Sequence, residues 1–244
     1  MTKNELTSEK YGEIYQKFNS PITALDCGKR CGPHNVGGKP FCCDICHSVP
    51  TAYDNEWKYL QPKTDLWRPW NAETCEESVK EAQEEFDSLR EETPDNMILL
   101  ECLGPDDCQR EFRTLICRQF PFFPYVDSNG VFIGLSYYSE YEETCWVISN
   151  LQVVTDQYRQ EFIQTYDKLF PLMSRELNAY QYHSEHMREK FSKENRKIPL
   201  LHRNGENYLI DPQSEALEKI NLESTRKFGP YKIMAEMPFP DEIE

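Results

Sequence analysis

The sequence predicts an α+β protein in which helices dominate, with a cysteine-rich core, a few short strands and a C-terminal helical and hairpin extension. Three observations predict it. From Asp156 onward, Tyr158, Phe162, Tyr166, Leu169, Met173, Leu177, Tyr180, His183, Met187 and Phe191 recur every three or four residues, the spacing of one helix face. Short apolar runs bounded by turn residues, such as 97–100 and 131–138, have the length of strands. Residues 27–50 hold five cysteines among Gly28, Gly32, Gly37, Gly38, Pro33 and Pro40, and glycine and proline at that density allow neither a long helix nor a long strand.

Taken in order, residues 4–18 predict a short amphipathic helix with Tyr11, Ile14, Tyr15 and Phe18 on one face, ended by Asn19-Ser-Pro because the residue before proline avoids the helical region. Residues 73–92 predict an acidic helix carrying Val79, Phe86 and Leu89. Met97 to Leu100 predicts a buried strand, and Val131 to Tyr138 another, introduced by the turn Asp127-Ser-Asn-Gly130. Trp146 to Ile148 and Leu151 to Val154 read as further short strands. Pro171 should split the helical pattern that starts at Asp156. Ile198 to Ile210 predicts a hairpin turning at Asn204-Gly-Glu-Asn, and Ser214 to Arg226 a last helix. The expected organisation is a core over 20–155 with the extension, 156–244, packed on it.

The chain has 244 residues and a formal net charge of −15, with its acidity densest from Glu73 to Glu111. Such a chain repels a phosphate backbone, which excludes nucleic acid as a partner. The basic stretch from Arg188 to Arg203 is interrupted by Glu189 and Glu194 and reads as the solvated end of a helix. No apolar run approaches the ~20 residues of a membrane span. The first residues, MTKNELTSEKYGEIYQKF, lack the apolar stretch of a secretory signal, so the expectation is a cytoplasmic protein with no membrane partner.

Ten cysteines in a reducing compartment ask for a reason other than disulfides, and metal binding is the usual one. They fall in two groups: Cys27-x3-Cys31-x10-Cys42-Cys43-x2-Cys46-His47, and Cys102-x5-Cys108-x8-Cys117. Tetrahedral zinc and iron–sulfur clusters both need several thiolates within a few ångströms of one another, and short spacings on glycine-rich loops bring that about with little strain. Arg113 and Arg118 near Cys117 are cations that stabilise a thiolate. Phe120-Pro-Phe-Phe-Pro-Tyr125 would supply an apolar wall. The expected ligands are Cys27, Cys31, Cys42, Cys43, Cys102, Cys108 and Cys117, with Cys46 the reserve member of that set and Cys145 a further reserve outside it, Arg118 as a supporting cation, and Cys75 an ordinary small core residue.

In these residues the chain resembles the bacterial YkgJ-type proteins, described as zinc- or iron-chelating cysteine-cluster domains. The resemblance lies in the pair Cys42-Cys43, and in Cys102, Cys108, Arg113, Cys117-Arg118 and Phe120-Pro121-Phe122. It covers roughly residues 25–148; the ten residues between Cys31 and Cys42 exceed the few usual in the family. The resemblance implies a thiolate-held metal. Through kinship with flagellin lysine methylases it also implies an alternative, an iron–sulfur enzyme that modifies protein side chains in the manner of a lysine N-methyltransferase, with a protein as substrate or partner. The irregular spacing and abutting Cys42-Cys43 fit zinc-finger templates poorly, so an iron–sulfur cluster is favoured over zinc.

Weaker signals have plainer explanations. Cys43-Asp-Ile-Cys46-His47 matches a haem attachment motif but follows no export signal. Gly32-x4-Gly37-Gly38-Lys39 misses the phosphate-loop pattern, since Pro40 stands where serine or threonine belongs. His183 and His186 are three apart on a helix, where a core or boundary role outweighs metal binding, and His34 and His47 are substitutes for a missing thiolate.

Overall fold

A computed structural model describes residues 6–75 and 78–234, side chains excepted at 233 and 234. Asn4, Glu5, Glu76, Glu77 and residues 235–244, all within segments assigned above, lie outside the described residues. The fold is α+β with 47% helix against 16% strand, and both sheets are antiparallel.

The smaller sheet has the order β1 (Thr51–Tyr53), β3 (Met97–Cys102), β2 (Trp67–Pro69). Helix α3 (Asp54–Leu60) follows β1 directly, and α4 (Val79–Glu92) precedes β3. Ser78 caps α4: its Oγ accepts from Glu81 N–H at 3.2 Å and donates to the Glu81 carboxylate at 2.6 Å. Trp70, Ala72, Ala82 and Leu99 bury the α4 face of this sheet, with Phe86 stacked on Trp70. Helix α1 (Ser8–Lys17) packs on α3, and Tyr11, Ile14, Tyr15 and Phe18 all point into the main core as their spacing requires.

The larger sheet is a meander of β4 (Phe122–Val126), β5 (Phe132–Tyr137), β6 (Ile198–His202), β7 (Asn207–Ile210) and β8 (Leu217–Lys219). Alternation along its strands feeds two cores. Phe122, Val126, Phe132, Leu135, Tyr137 and Leu201 enter the main core, where α7 (Asp156–Leu169) contributes Tyr158, Phe162, Tyr166 and Leu169. Phe123, Tyr125, Ile198, Leu200 and Ile210 face α8 (Ser174–Lys193), which covers them with Met187 and Phe191. Ser184 of α8 donates to Tyr180 O at 2.7 Å and accepts from Val126 N–H at 3.0 Å, locking helix to strand. Pro171 lies between α7 and α8, where the helical pattern was expected to split. Since β5 pairs with β6, the 20–155 and 156–244 segments share one sheet.

Two segments differ from expectation. Trp146–Ser149 forms a short helix, α6, and Leu151–Val153 a 3-10 turn, instead of strands. Trp146 to Leu151 is buried throughout, so its apolarity carries no period, and Asn150 Nδ2 donates to Trp146 O at 2.8 Å to hold the helical turn. Ser214–Arg226 is not a helix. Asp211 accepts from the Gln213 and Ser214 amides at 3.1 and 2.9 Å, and Glu215 takes a left-handed φ of 55°. The resulting turn sends the chain back as β8.

Gly134 in β5 sits where backbones press together. A Cβ there would run into the Leu201 carbonyl oxygen and come within 2.9 Å of His202 Cα. Gly134→Ala is therefore expected to lower stability by about 1–3 kcal/mol or more, read as a reduced urea midpoint with an unchanged m-value. An unshifted midpoint would show that the β5–β6 contact gives way freely.

Candidate metal centre

The first cysteine group is ordered by short-range contacts. Asp26 caps helix α2 (Cys27–Cys31) by accepting from the Gly28 and Lys29 amides at 3.0 and 3.3 Å, which places Cys27 and Cys31 one turn apart. Two glycines let the next turn of chain lie against α2: a Cβ on Gly32 would stand 2.8 Å from Gly38 O, and one on Gly28 3.1 Å from Pro40 Cγ. The chain then makes a 3-10 turn, Phe41–Cys43, with Cys43 N–H bonded to Pro40 O at 2.9 Å. Phe41 packs on Tyr141 with ring centroids 5.3 Å apart.

The second group comes from three places. Cys102 ends β3 opposite Trp67 of β2. Cys108 lies on the loop that follows. Cys117 is carried by helix α5 (Leu115–Gln119), whose N-cap Thr114 accepts from Cys117 N–H at 3.2 Å.

The two groups meet. Cys42 and Cys43 from the first, and Cys102, Cys108 and Cys117 from the second, line one cavity of about 180 Å³. Arg113 shares this wall and donates from Nε to Cys108 Sγ at 3.0 Å. Trp67, Phe120, Tyr138 and Tyr141 also line the cavity, together with Gln119. The Cys42 and Cys43 sulfurs are 4.0 Å apart. Among the described residues, no three His, Cys, Asp or Glu side chains are grouped to hold one metal ion; the five thiols surround a space instead of meeting at a point.

Burial keeps most of these thiols protonated. It pushes Cys117 up to about 12 against the pull of Arg113, pushes Cys31 up to about 12, and raises Cys27, Cys102 and Cys145. Cys42 is raised first by its hydrogen bond to Cys43 and then by desolvation. That bond lowers Cys43 to about 7, with burial opposing and Arg113 reinforcing. Burial works to lower the Arg113 pKa, and its nearness to the sulfurs of Cys117, Cys108 and Cys43, with the hydrogen bond to Cys108, more than offsets this and raises it.

Three expectations are corrected by this geometry. Cys46 is bonded to Cys75 in a disulfide, with Cα atoms 5.3 Å apart, so Cys46 offers no free thiolate and Cys75 is no lone core residue. Arg118 turns away from the sulfurs: it lies 4.1 Å over the Tyr15 ring and donates to Arg113 O at 2.8 Å, Glu111 O at 2.6 Å and Phe18 O. Arg113 takes the cationic place assigned to Arg118. Of Phe120–Tyr125, only Phe120 faces the cavity, because Phe122, Phe123 and Tyr125 belong to β4 and the two cores.

Cys27, Cys31 and Cys145 stand outside the cavity wall but within electrostatic reach of one another, and Cys27 and Cys31 also feel Cys43. His34 packs edge-on against Tyr231, and His47 bonds Asp44 at 3.1 Å. His183 is wedged between Phe123 and Tyr138, ring centroids 4.4 and 5.0 Å away, and burial lowers its pKa. Trp67 and Gln119 had no signal in the sequence; the first reaches the site by pairing opposite Cys102, the second by its place on α5. No described helix is long and apolar enough to cross a membrane. Comparison with protein-family models, with curated proteins and with solved structures finds no match to the chain.

Proposed function

We propose that this protein binds a thiolate-ligated metal cofactor in the cavity between its two cysteine groups, and that the cofactor is an iron–sulfur cluster in preference to a single zinc ion. The observation that carries the reading is that five thiols from distant parts of the chain surround one small cavity. A lone tetrahedral zinc needs four donors closing on one point at about 2.0–2.3 Å. A cluster takes its thiolates at the corners of a larger body, which suits sulfurs that line one cavity. Cys102, Cys108 and Cys117, with Cys42 or Cys43, are the residues that would hold it, and Arg113 would offset thiolate charge through Cys108. Such a group, when bound, supplies electron transfer or an open iron site. The protein's part is to bury the thiols, exclude water with the aromatic side chains and orient the sulfurs. A cytoplasmic setting, which keeps thiols reduced, suits this reading.

Anaerobic purification followed by iron, sulfide and zinc analysis tests it. Iron and acid-labile sulfide with thiolate-to-iron absorption are expected; stoichiometric zinc without colour would overturn the cluster, and absence of both metals would overturn metal binding. The alternative, an iron–sulfur enzyme modifying protein side chains, draws support from the aromatic side chains that line the cavity along with the sulfurs, surfaces on which an organic ligand can stack. Calorimetric binding of S-adenosylmethionine would favour it.

A further inference from the structure

We propose that the Cys46–Cys75 disulfide is a redox latch on the rim of the thiol cavity, a site reduced by a dithiol whose opening exposes the cavity thiols. Six residues of the rim segment 41–50 line the cavity: Cys42, Cys43, Ile45, Ser48, Val49 and Pro50. Cys46 sits in the middle of that run, exposed to solvent. Its partner, Cys75, follows a 3-10 turn, Ala72–Thr74, held in place by Trp70 and Ala72 in the small-sheet core. The bridge thus ties the rim covalently to α4 and the small sheet.

Among the described residues, the middle of the rim, 42–48, has few other directional ties to the body. Most backbone hydrogen bonds of residues 41–48 run within the rim itself, Cys43 to Pro40, Asp44 to Phe41, His47 and Ser48 to Asp44; the ends of the segment are tied outward, the Phe41 amide to the Cys31 sulfur and Pro50 O to Leu100 N–H at 2.9 Å. Asp44 turns its carboxylate onto Cys46 N–H and His47, again inside the rim. Contact with the body comes from Phe41 against Tyr141 and from Ile45 and Val49 beside the small core. Such packing can slide or open locally once a covalent tie is removed. The company the bridge keeps also singles it out. Eight cysteines are free while one pair, solvent-accessible at Cys46, is joined. Exposed disulfides in thiol-rich proteins belong to the labile, regulatory kind.

The chemistry needs one co-reactant, a dithiol. Its thiolate attacks the exposed Cys46 sulfur; the sulfur–sulfur bond breaks, and the Cys75 sulfur leaves with the electron pair and takes up a proton. The reductant's second thiol then displaces the mixed disulfide, freeing Cys46 as a thiol and closing the reductant's own disulfide. Two electrons and two protons enter the protein. The rim is released, and Cys117 and Cys102, half-buried while it is closed, become more reachable.

The latch itself requires no metal, but its role in loading or guarding a cofactor rests on the reading proposed above. The test is site-resolved alkylation of the full chain, followed by mass spectrometry, as isolated and after chelator treatment. Without reductant, eight thiols should label under denaturing conditions, and ten after a mild dithiol. In the native state, the Cys46→Ser/Cys75→Ser double variant should label Cys117 about tenfold faster than the parent, with Cys145, outside the wall, unchanged. Parent protein treated with the dithiol should behave like the variant, which keeps the test valid if the variant folds poorly. Equal Cys117 rates with and without the bridge, or ten thiols labelled before reduction, would overturn the latch. Absence of metal with a faster Cys117 rate would sink the cofactor reading and leave the latch standing.

Discussion

Cys117→Ser is expected to strip the protein of its metal, lowering bound iron by about tenfold or more against the parent purified in parallel. The reasoning starts from what Cys117 does when no metal is present. Its thiol is half-buried on α5 at the cavity wall and is pushed up to about 12 by burial, with the Arg113 charge opposing, so it is protonated near neutral pH. Serine keeps nearly the same shape, and the Thr114 cap acts on the backbone amide of residue 117, not on its side chain. The change therefore spares the helix. What it removes is the sulfur, for which a hydroxyl is no substitute, being too hard and too weakly acidic to ligate iron as a thiolate does. Cys145→Ser, outside the cavity wall, is the matched control and should retain most of the metal. Full occupancy with unchanged thermal stability in Cys117→Ser would remove Cys117 from the site, and with it the case for a centre between the two groups.

That contrast between Cys117 and Cys145 shows where sequence reasoning reaches and where it stops. Local pattern is legible: the helix faces of α1, α7 and α8, the break at Pro171 and the β6–β7 hairpin all follow from the spacing of apolar and turn residues. The clustering of cysteines into two groups is legible too. How the groups meet is a tertiary fact. It depends on β3 delivering Cys102 beside Trp67, and on close glycine contacts folding the first loop upon itself. Pairing of Cys46 with Cys75 was out of reach because spacing does not determine connectivity. The choice between Arg113 and Arg118 turned on side-chain direction: of two arginines five residues apart, one before a short helix and one on it, the first reaches sulfur and the second Tyr15. The runs at 146–154 and 214–226 misled for a related reason, since continuous burial from Trp146 to Leu151 erases periodicity and a left-handed residue reverses the chain without an apolar signature.

Glu56→Ala is expected to cost about 3–5 kcal/mol of folding stability, the largest loss from any single polar substitution considered. Glu56, on α3, is 0% exposed and no lysine or arginine forms a salt bridge with it among the described residues. Its carboxylate accepts from Tyr15 OH at 2.6 Å, from Leu115 N–H at 2.6 Å and from Tyr53 N–H at 3.2 Å. One side chain thereby joins α1, α3, the end of β1 and the start of α5, two residues ahead of Cys117. Burial raises the Glu56 carboxyl above the usual carboxylate range, with the three hydrogen bonds and the Arg118 charge opposing. A folded-state pKa above the unfolded one adds stability fully present below the unfolded value and lost as pH rises through the folded value. Alanine would leave three buried donors without an acceptor. Glutamine would keep one oxygen for Tyr15 and Leu115 but set an amide N–H against Tyr53 N–H, for a smaller loss of about 1–2 kcal/mol. Urea unfolding of both variants reads this order directly. Because α5 is seated through Leu115, the alanine variant should also hold less metal than the glutamine variant at equal protein concentration. An alanine variant within about 1 kcal/mol of the parent would mean that water replaces the carboxylate at this junction and that α5 is positioned by packing alone.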